Sequence, residues 1–227
     1  MNSFTLLALV KAAPTINATM KSAGDKRIAV FPVEVAAYRQ GDPPMPLQVT
    51  AWGNLAADAG TSIKPSSHYV LTGRLRLEKN RPPELQISAF HGVTPLDAPG
   101  VNIVSLVGRA GRDPEARYFE SGSMVSNLSL AVNRNSRDDA PDWFNLEIWG
   151  KQAQIAADYV RKGSLLGITG SFKLELWTDR STGEERSKPV IRVDRLDLLG
   201  SKRDAEAGGG AGAGGYQPDP DDDSLPF

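Results

Sequence analysis

The 227-residue sequence predicts an all-β protein in which two small barrels, each with one short helix, lie in tandem ahead of an acidic tail. Apolar and polar residues alternate over many short stretches, as they do in strands that are buried on one side. Several residue pairs recur at an offset of 97 residues, which is typical of a duplicated unit. Residues 201–227 are too rich in glycine, alanine and aspartate to build a core of their own.

These features divide the chain into four predicted parts. The first barrel covers residues 1–97, the second covers 98–200, a glycine- and alanine-rich linker covers 201–219, and an acidic tip covers 220–227. Residues 204–227 carry six acidic residues and no lysine or arginine. A mildly basic body is therefore expected to bear an acidic tail.

Composition also excludes several kinds of site. The chain has no cysteine, which excludes disulfides, thiolate metal sites and a cysteine nucleophile, and which fits a reducing cytoplasm. Only two histidines occur, His68 and His91, so a histidine-rich metal site is excluded. No apolar run approaches the ~20 residues that a membrane helix needs, and the stretch 1–10 lacks the pattern of a signal peptide. We expect a cytoplasmic protein without a cofactor, a metal or a membrane partner.

The first segment reads as five strands and one short helix. A proline-rich turn over 41–46 separates the second strand from the third. The helix is predicted over Leu55–Ala59, between the third and fourth strands. The five strands are predicted at Phe4–Val10, Ile28–Tyr38, Leu47–Trp52, Tyr69–Leu77 and Leu85–Phe90.

The second segment repeats this order. A helix is predicted over Gln152–Val160, with Ile155, Ala156 and Tyr159 on one stripe. Residues 178–189 are predicted to form a polar hairpin tip, because Ser181-Thr182-Gly183 is a turn signal. The strands are predicted at Asn102–Arg109, Met124–Arg134, Trp143–Trp149, Leu165–Trp177 and Val190–Leu199.

The offset of 97 residues connects matching positions in the two segments. The matches are Leu9-Val10 with Leu106-Val107, Val35 with Val132, Trp52-Gly53 with Trp149-Gly150, Thr72-Gly73 with Thr169-Gly170, and Leu77 with Leu174. Five short strands with a helix between the third and fourth fit the five-stranded Greek-key OB barrel. Barrels of that class bind oligonucleotides or oligosaccharides along one sheet face.

The stretch Trp143–Trp149 is the strongest functional signal. Alternation places Phe144, Leu146 and Ile148 on a core face, and it places Trp143, Asn145, Glu147 and Trp149 on the opposite face. The same mixture of polar residues and tryptophan recurs at Lys173, Glu175 and Trp177. Aromatic rings on a polar sheet face suit the stacking of unpaired bases. Taken alone, the pattern favours rings that pack beneath a loop or in a subunit interface, and the rest of the chain reverses that preference.

Basic residues of the second segment are candidate phosphate contacts. Each of them could equally be an ordinary solvated charge, and the set matters only if it borders one groove. The candidates are Arg109, Arg112, Arg117, Lys151, Arg161, Lys162, Lys173 and Arg192.

The second segment resembles the bacterial single-stranded DNA-binding proteins. The resemblance rests on Val107-Gly108-Arg109, Asp113-Pro114-Glu115-Ala116-Arg117-Tyr118, Trp149-Gly150-Lys151, Tyr159-Val160-Arg161-Lys162-Gly163-Ser164, Trp177-Thr178-Asp179 and the acidic tip. It implies an OB fold and binding of single-stranded DNA without sequence specificity. It also implies roles in replication, repair and recombination near the nucleoid.

The resemblance assigns base stacking to Trp143, Trp149 and Trp177. A further tryptophan of the family has no counterpart here, and we expect Arg134 or Arg137 to replace it in part by stacking a guanidinium. The first segment keeps Trp52 but has no match to Trp177. It is expected to bind DNA weakly or to serve chiefly in assembly.

The resemblance also bears on partners. Family members have one barrel per chain and form tetramers, or two per chain and form dimers, so we expect a homodimer with four barrels, the alternative being a homotetramer. The tip ends in an apolar ring beside a free carboxylate, a ligand suited to a basic, hydrophobic pocket on replication and repair proteins. Its predicted partner-binding residues are Asp221, Asp222, Asp223, Leu225, Pro226 and Phe227.

Two other functions compete with single-stranded DNA binding. An enzyme would need a nucleophile, an acid–base pair or a metal, and the sequence shows no such arrangement around His68, His91 or Glu184-Glu185. The second rival is an adaptor whose barrels bind mainly protein. Titration with oligonucleotides separates the adaptor from the DNA-binding protein.

Overall fold

A computed structural model of the protein describes residues 1–19, 26–36, 44–78, 81–94, 100–134, 140–178, 183 and 185–200. The structure is all-β, with closed-barrel strand pairing and two short helices. The strands of the first half are β1 (Asn2–Val10), β2 (Thr15–Thr19), β3 (Lys26–Val35), β4 (Met45–Trp52), β5 (His68–Arg76) and β6 (Glu84–Val93), with helix α1 at Asn54–Ser62. Those of the second half are β7 (Asn102–Ala110), β8 (Glu115–Tyr118), β9 (Met124–Val132), β10 (Asp142–Trp149), β11 (Leu165–Thr178) and β12 (Glu185–Leu198), with helix α2 at Gly150–Tyr159.

Strand pairing closes on itself in each half. In the first half the pairings run β1–β3–β4–β6–β5 and return to β1, and only β4 and β6 are parallel. In the second half they run β7–β9–β10–β12–β11 and return to β7, with β10 and β12 parallel. The short strands β2 and β8 lie outside these rings, paired with β3 and β9.

The two halves are joined by the antiparallel pairing of β1 with β7, which makes one continuous 12-stranded sheet. Their buried side chains form a single apolar cluster. Phe4 of β1 is fully buried, and its ring centroid lies 5.9 Å from that of Phe144 and 6.1 Å from that of Phe172, both in the second half. The two halves therefore share a core.

The two halves of the structure contain matching hydrogen bonds. The side chain of Asn2 bonds both backbone groups of Leu75, and that of Asn102 bonds both backbone groups of Phe172. The ladders β5–β6 and β11–β12 shift register at Thr72/Gly73 and Thr169/Gly170, which are 97 residues apart. One proposed match is wrong, because Asn2 corresponds to Asn102 and the offset at β1 is therefore 100. Leu9-Val10 is not equivalent to Leu106-Val107.

Several predicted elements differ from the observed ones. Strands β2 and β8 were not predicted, because they are short, and β8 is exposed throughout. Residues 185–189 belong to β12 rather than to a hairpin tip, since backbone pairing between β11 and β12 continues past the apolar stretch to Thr178↔Glu185. Tyr159, which the sequence places on one stripe with Ile155 and Ala156, is 68% exposed, because α2 packs through the small side chains of Ala153 and Ala156.

Within the part of the chain that the structure describes, no helix has both the length and the apolar character needed to cross a membrane.

Candidate nucleic-acid interface

Strand β10 has the two faces that its sequence predicts. Phe144, Leu146 and Ile148 are at most 1% exposed and lie in the core. Trp143 is 51% exposed on the opposite face, and Trp149 on that face is partly buried. Six residues of extended strand separate the two tryptophans by about 20 Å. The outer face of β10 thus presents two indole rings, one near each end of the strand.

Strand register places a cation in line with each tryptophan. Residues paired across a ladder point to the same face of the sheet. Trp143 pairs with Ala131 of β9, which pairs in turn with Arg109 of β7. Trp149 pairs with Val125 of β9, which pairs with Arg117 of β8. Both arginines are exposed, so aromatic and cationic groups alternate across this surface, which we call the aromatic face.

Trp143 lies across a glycine of the loop after β7. A Cβ atom added at Gly111 would lie 2.3 Å from the Trp143 ring, so a side chain at that position would displace the indole. The absence of a side chain at Gly111 allows this close approach, while about half of the Trp143 surface stays open to solvent.

Trp149 is held by two neighbours. Its indole N–H donates a hydrogen bond of 2.6 Å to a carboxylate oxygen of Glu147. The ring of Phe119 stacks on it with a centroid distance of 5.7 Å and an interplanar angle of 14°. Phe119 itself is 48% exposed. The indole is thus fixed in orientation, and the stack extends outward from it through Phe119.

Lys173 lies between two carboxylates on this face. Its ammonium is 2.9 Å from Glu147 and 3.0 Å from Glu175. Burial acts to lower the pKa of Lys173, but its hydrogen bonds to both carboxylates outweigh burial and raise the pKa above its ordinary value. Burial acts to raise the pKa of Glu147, but hydrogen bonds from Lys173 and Trp149 and the charges of Lys173 and Arg192 lower it overall. The positive charge of Lys173 is therefore largely neutralised by these two carboxylates.

The other predicted cations have varied surroundings. Arg192 pairs with Glu147 in the β10–β12 register, and so lies beside the same network. Arg112 forms an exposed ion pair of 2.6 Å with Glu115. Arg161 donates to backbone carbonyls at the end of α2, among them that of Val160 at 2.7 Å. Lys151 in α2 and Lys162 after it are exposed.

Arg134 is engaged inside the protein. Its guanidinium lies 2.8 Å from the carboxylate of Asp142 and also donates to the carbonyl of Leu77 in the first half. Its side chain is only 14% exposed. The structure therefore places Arg134 at the contact between the halves, away from the stacking role expected of it. Arg137, the side chain of Trp177 and the acidic tip lie outside the described residues.

The first half offers a weaker version of the same surface. Trp52 occupies the position that corresponds to Trp149, and it is 45% exposed. Where the second half has Trp143, Asn145 and Glu147, the first half has Pro46, Gln48 and Thr50. One exposed indole therefore remains on β4 in place of two.

A shallow cavity of about 470 Å³ opens beside Trp149. It is lined by Tyr118, Gly122, Ser123, Met124, Trp149, Gly150, Lys151 and Gln154. In the sequence, Tyr118 belongs to the family pattern, and Phe119 was not predicted as a site residue. The signal was available, because two adjacent aromatics ahead of a glycine turn are unusual in an exposed stretch. Among the described residues, no three His, Asp or Glu side chains gather as a metal site would require.

Comparison with known proteins places this surface in context. The model of the single-strand binding protein family matches residues 101–199. The chain is 67% identical over 107 residues to a single-stranded DNA-binding protein of Thermosynechococcus vestitus, covering 47% of this chain and 89% of that protein. It is 66% identical over 110 residues to single-stranded DNA-binding protein 1 of Synechocystis, covering 47% and 91%.

The fold of the whole chain also has a solved counterpart. The crystal structure of wild-type single-stranded DNA binding protein from Thermus aquaticus superposes with a TM-score of 0.66 at 22% identity, covering 96% of this chain and 98% of that one. The closed all-β barrel with an aromatic outer face is that of an OB-fold protein. The chain belongs to the single-strand binding protein family, and its relatives are bacterial. Members of this family bind DNA and are not enzymes, which confirms the expectation from the sequence that this protein is not an enzyme.

Proposed function

We propose that this protein binds single-stranded DNA without sequence specificity through the aromatic face of its second half. The main support for this proposal is the strand register of the second half, which aligns Trp143 with Arg109 and Trp149 with Arg117. Rings that stack on any base, next to cations that contact phosphates, give affinity without reading base identity. The names of the relatives support the same ligand.

The proposal extends to the domain organisation. We assign residues 1–97 and 98–200 to two tandem OB domains, with a linker over 201–219 and a tip over 220–227. The two closed pairing circuits and the paired asparagine contacts support this division. The second domain is the main DNA-binding unit, and the first contributes Trp52 and the contact with its neighbour.

Titration with a fluorescently labelled dT oligonucleotide tests the DNA site. Trp143→Ala and Trp149→Ala are each expected to weaken binding by about 1–3 kcal/mol, because each removes a stacking platform. Trp52→Ala is the matched comparison, since it removes the equivalent indole from the first half. Unchanged affinity in both second-half variants would contradict the assigned site, and a duplex bound as tightly as the single strand would contradict the function.

An adaptor that binds mainly protein remains the alternative outcome of that titration. It would show no dT binding by the wild-type chain at two salt concentrations, although the chain remained folded. A DNA-binding protein instead loses affinity as salt rises, because counterions compete for the phosphates.

We further propose that the acidic tip recruits proteins of replication, repair and recombination. Phe227 supplies an apolar ring, while Asp221, Asp222 and Asp223 add negative charge. Phe227→Ala should therefore abolish most capture of such partners from a bacterial lysate while every aspartate stays. Deletion of residues 221–227 should leave dT affinity unchanged or slightly tighter, because a tethered acidic segment competes with phosphate. Equal capture by Phe227→Ala and wild type would contradict this role.

A homodimer carrying four OB domains is the proposed assembly. Sheets often associate through unpaired edge strands, but β1 and β7 pair with each other within one chain. The outer face of β5, β1, β7 and β11 is the better candidate, and we call it the central face. The side chains nearest the β1–β7 pairing are mostly small and uncharged, and Arg74 of β5 and Arg109 of β7 lie on the same face. The uncharged residues are Ser3, Thr5, Val70, Thr72, Ile103, Ser105, Val107, Gly167 and Thr169.

The central face also has local two-fold character. The β1–β7 register is centred on the pair Phe4↔Val104. On one side of this centre Asn2 pairs with Leu106, and on the other side Leu6 pairs with Asn102, so equivalent residues of the two halves are related by a local two-fold axis. A mostly uncharged surface with two-fold character suits contact with a second copy of itself.

A further inference from the structure

Phe119 and the cavity beside Trp149 lie next to the proposed DNA site, and no predicted role involves them. Strand β8 ends at Tyr118, and the tight turn that follows brings the chain back into β9. In that turn the N–H of Gly122 donates to the carbonyl of Phe119 at 2.9 Å, and the N–H of Phe119 donates to the carbonyl of Ser123 at 2.9 Å. The turn thereby fixes the position of the Phe119 backbone.

The aromatic groups at this end of the face exceed what the fold needs. Tyr118 is 71% exposed and Phe119 is 48% exposed, so neither contributes much to the core. Phe119 nevertheless stacks almost parallel on Trp149. An exposed ring held parallel to another ring leaves its outer surface available for a further planar group.

The cavity adjoining this stack has the chemistry of a nucleotide pocket. Met124 and the rings of Tyr118 and Trp149 supply apolar surface, and the carboxamide of Gln154 can both donate and accept hydrogen bonds. Lys151 stands at its margin, exposed, and within the described part of the chain it pairs with no carboxylate. Apolar walls with a few polar groups and a cation match one base with its phosphate.

We propose that Phe119, Tyr118 and this cavity form an additional base subsite, which extends the stacking surface of Trp149 beyond the edge of β10. One base stacks on the outer surface of Phe119, the next base enters the cavity against Tyr118, and Lys151 contacts the intervening phosphate. This subsite rests on the proposed function, because it lengthens the same path for a single strand. Continuity with the row Trp149, Val125 and Arg117 favours DNA as its occupant.

Binding of a labelled dT oligonucleotide to full-length variants tests the subsite. Phe119→Leu and Tyr118→Leu keep apolar bulk but remove the ring, so each should weaken binding by about fivefold to a hundredfold. Phe119→Tyr keeps the ring and should stay within about twofold of wild type by the same reasoning. Tyr159→Leu removes an equally exposed aromatic from α2, away from the cavity, and should change nothing.

Photo-crosslinking gives a positional readout that a purely structural role would not produce. With 5-iododeoxyuridine in the oligonucleotide, crosslinked peptides should contain Tyr118 or Phe119, and the Lys151→Gln variant should show a smaller salt dependence of affinity. Thermal unfolding of each variant, compared with wild type, separates loss of the subsite from loss of the fold.

The remaining outcomes overturn the inference in distinguishable ways. If Trp143→Ala weakens dT binding but Phe119→Leu and Tyr118→Leu do not, the subsite is absent while the proposed function stands. If wild type does not bind dT, the function itself fails. If the two leucine variants bind dT normally but lose affinity for a peptide of residues 219–227, the cavity holds a peptide and not a base.

Discussion

At the scale of single residues, the aromatic face carries more compensated charge than its sequence suggests. Lys173 is placed between Glu147 and Glu175, and Glu147 also fixes the indole N–H of Trp149. The network therefore orients a stacking ring while it neutralises a cation that was expected to contact phosphate. Arg109, Arg117 and Lys151 are left as the more accessible positive charges.

The pH dependence of stability should report this network. The folded-state pKa of Glu147 lies below its ordinary value of 4.5, so its ionised form stabilises the fold above that pH and the contribution disappears as pH falls. The difference in the free energy of unfolding between wild type and Glu147→Gln should be present at neutral pH and narrow in acid. Chemical denaturation across that range measures it.

Glu115→Gln is the control for that measurement. The side chains of Glu115 and Arg112 are each about half exposed, so their ion pair contributes little to the free energy of unfolding. The raised pKa of Lys173 works in the opposite direction, since its contribution is complete below its ordinary value of 10.5 and is lost at higher pH. If the difference in the free energy of unfolding between wild type and Glu147→Gln stays constant from neutral to acidic pH, the ionised carboxylate of Glu147 does not stabilise the fold through this network.

At the scale of elements, glycines allow the ladders to shift register where the barrel closes. A Cβ atom at Gly170 would lie 2.1 Å from the carbonyl oxygen of Arg192, and one at Gly73 would lie 2.2 Å from that of Gln86. Both contacts are with backbone, which cannot move aside without breaking strand pairing. The bulge in each half thus depends on a position without a side chain.

Gly170→Ala should therefore destabilise the protein by about 1–3 kcal/mol, the range for a group forced into a packed site. Gly167→Ala lies on the same strand, but its Cβ would meet the flexible end of Leu199 at 3.3 Å, so its effect should be smaller. Denaturant unfolding of both variants measures the difference. Equal stability of the two variants would contradict the close approach seen at Gly170.

At the scale of the whole molecule, the two halves behave as one body because their contacts include core as well as surface. Besides the shared rings around Phe4, the carboxylate of Asp142 accepts hydrogen bonds from the N–H of Leu77 and from Arg134. Asp142 is 3% exposed. Removing the carboxylate of Asp142 leaves the guanidinium of Arg134 and the N–H of Leu77 buried without their hydrogen-bond acceptor.

Asp142→Ala is accordingly expected to lower the free energy of unfolding by about 3–5 kcal/mol, in a transition that stays single because both halves share the core. Arg112→Ala removes an exposed ion pair and should cost no more than about 1 kcal/mol. Calorimetry of both variants and of wild type tests the prediction. Two separate transitions in the wild-type protein would show that the halves fold independently.

Assembly is the second whole-molecule prediction. Light scattering should give a mass near twice the chain mass of 24.4 kDa. Ser105→Glu should reduce this to the mass of one chain, because it places a charge in the middle of the central face. Ala12→Glu adds the same charge at an exposed position outside that face and should leave the mass unchanged. A mass of four chains would favour the homotetramer instead.

Much of this protein was readable from its sequence because the decisive information is local. Successive side chains of a strand point to opposite faces of the sheet. This alternation identified the core residues Phe144, Leu146 and Ile148 and the outward-facing Trp143. The sequence also showed pairs that recur at an offset of 97 residues, such as Trp52-Gly53 and Trp149-Gly150, and both of these glycines have a positive φ in the structure. The short strands β2 and β8 escaped detection because a few polar residues carry no periodic signal.

What only the tertiary structure decided is which side chains meet across strands distant in sequence. No local pattern could show that Arg117 lines up with Trp149, that Phe119 stacks on that indole, or that Glu147 neutralises Lys173. Nor could it show that Arg134 would pair with Asp142 between the halves. Amino-acid type and spacing determine which face a side chain takes, but its partners are set by strand register and barrel closure, which depend on the packing of the whole chain.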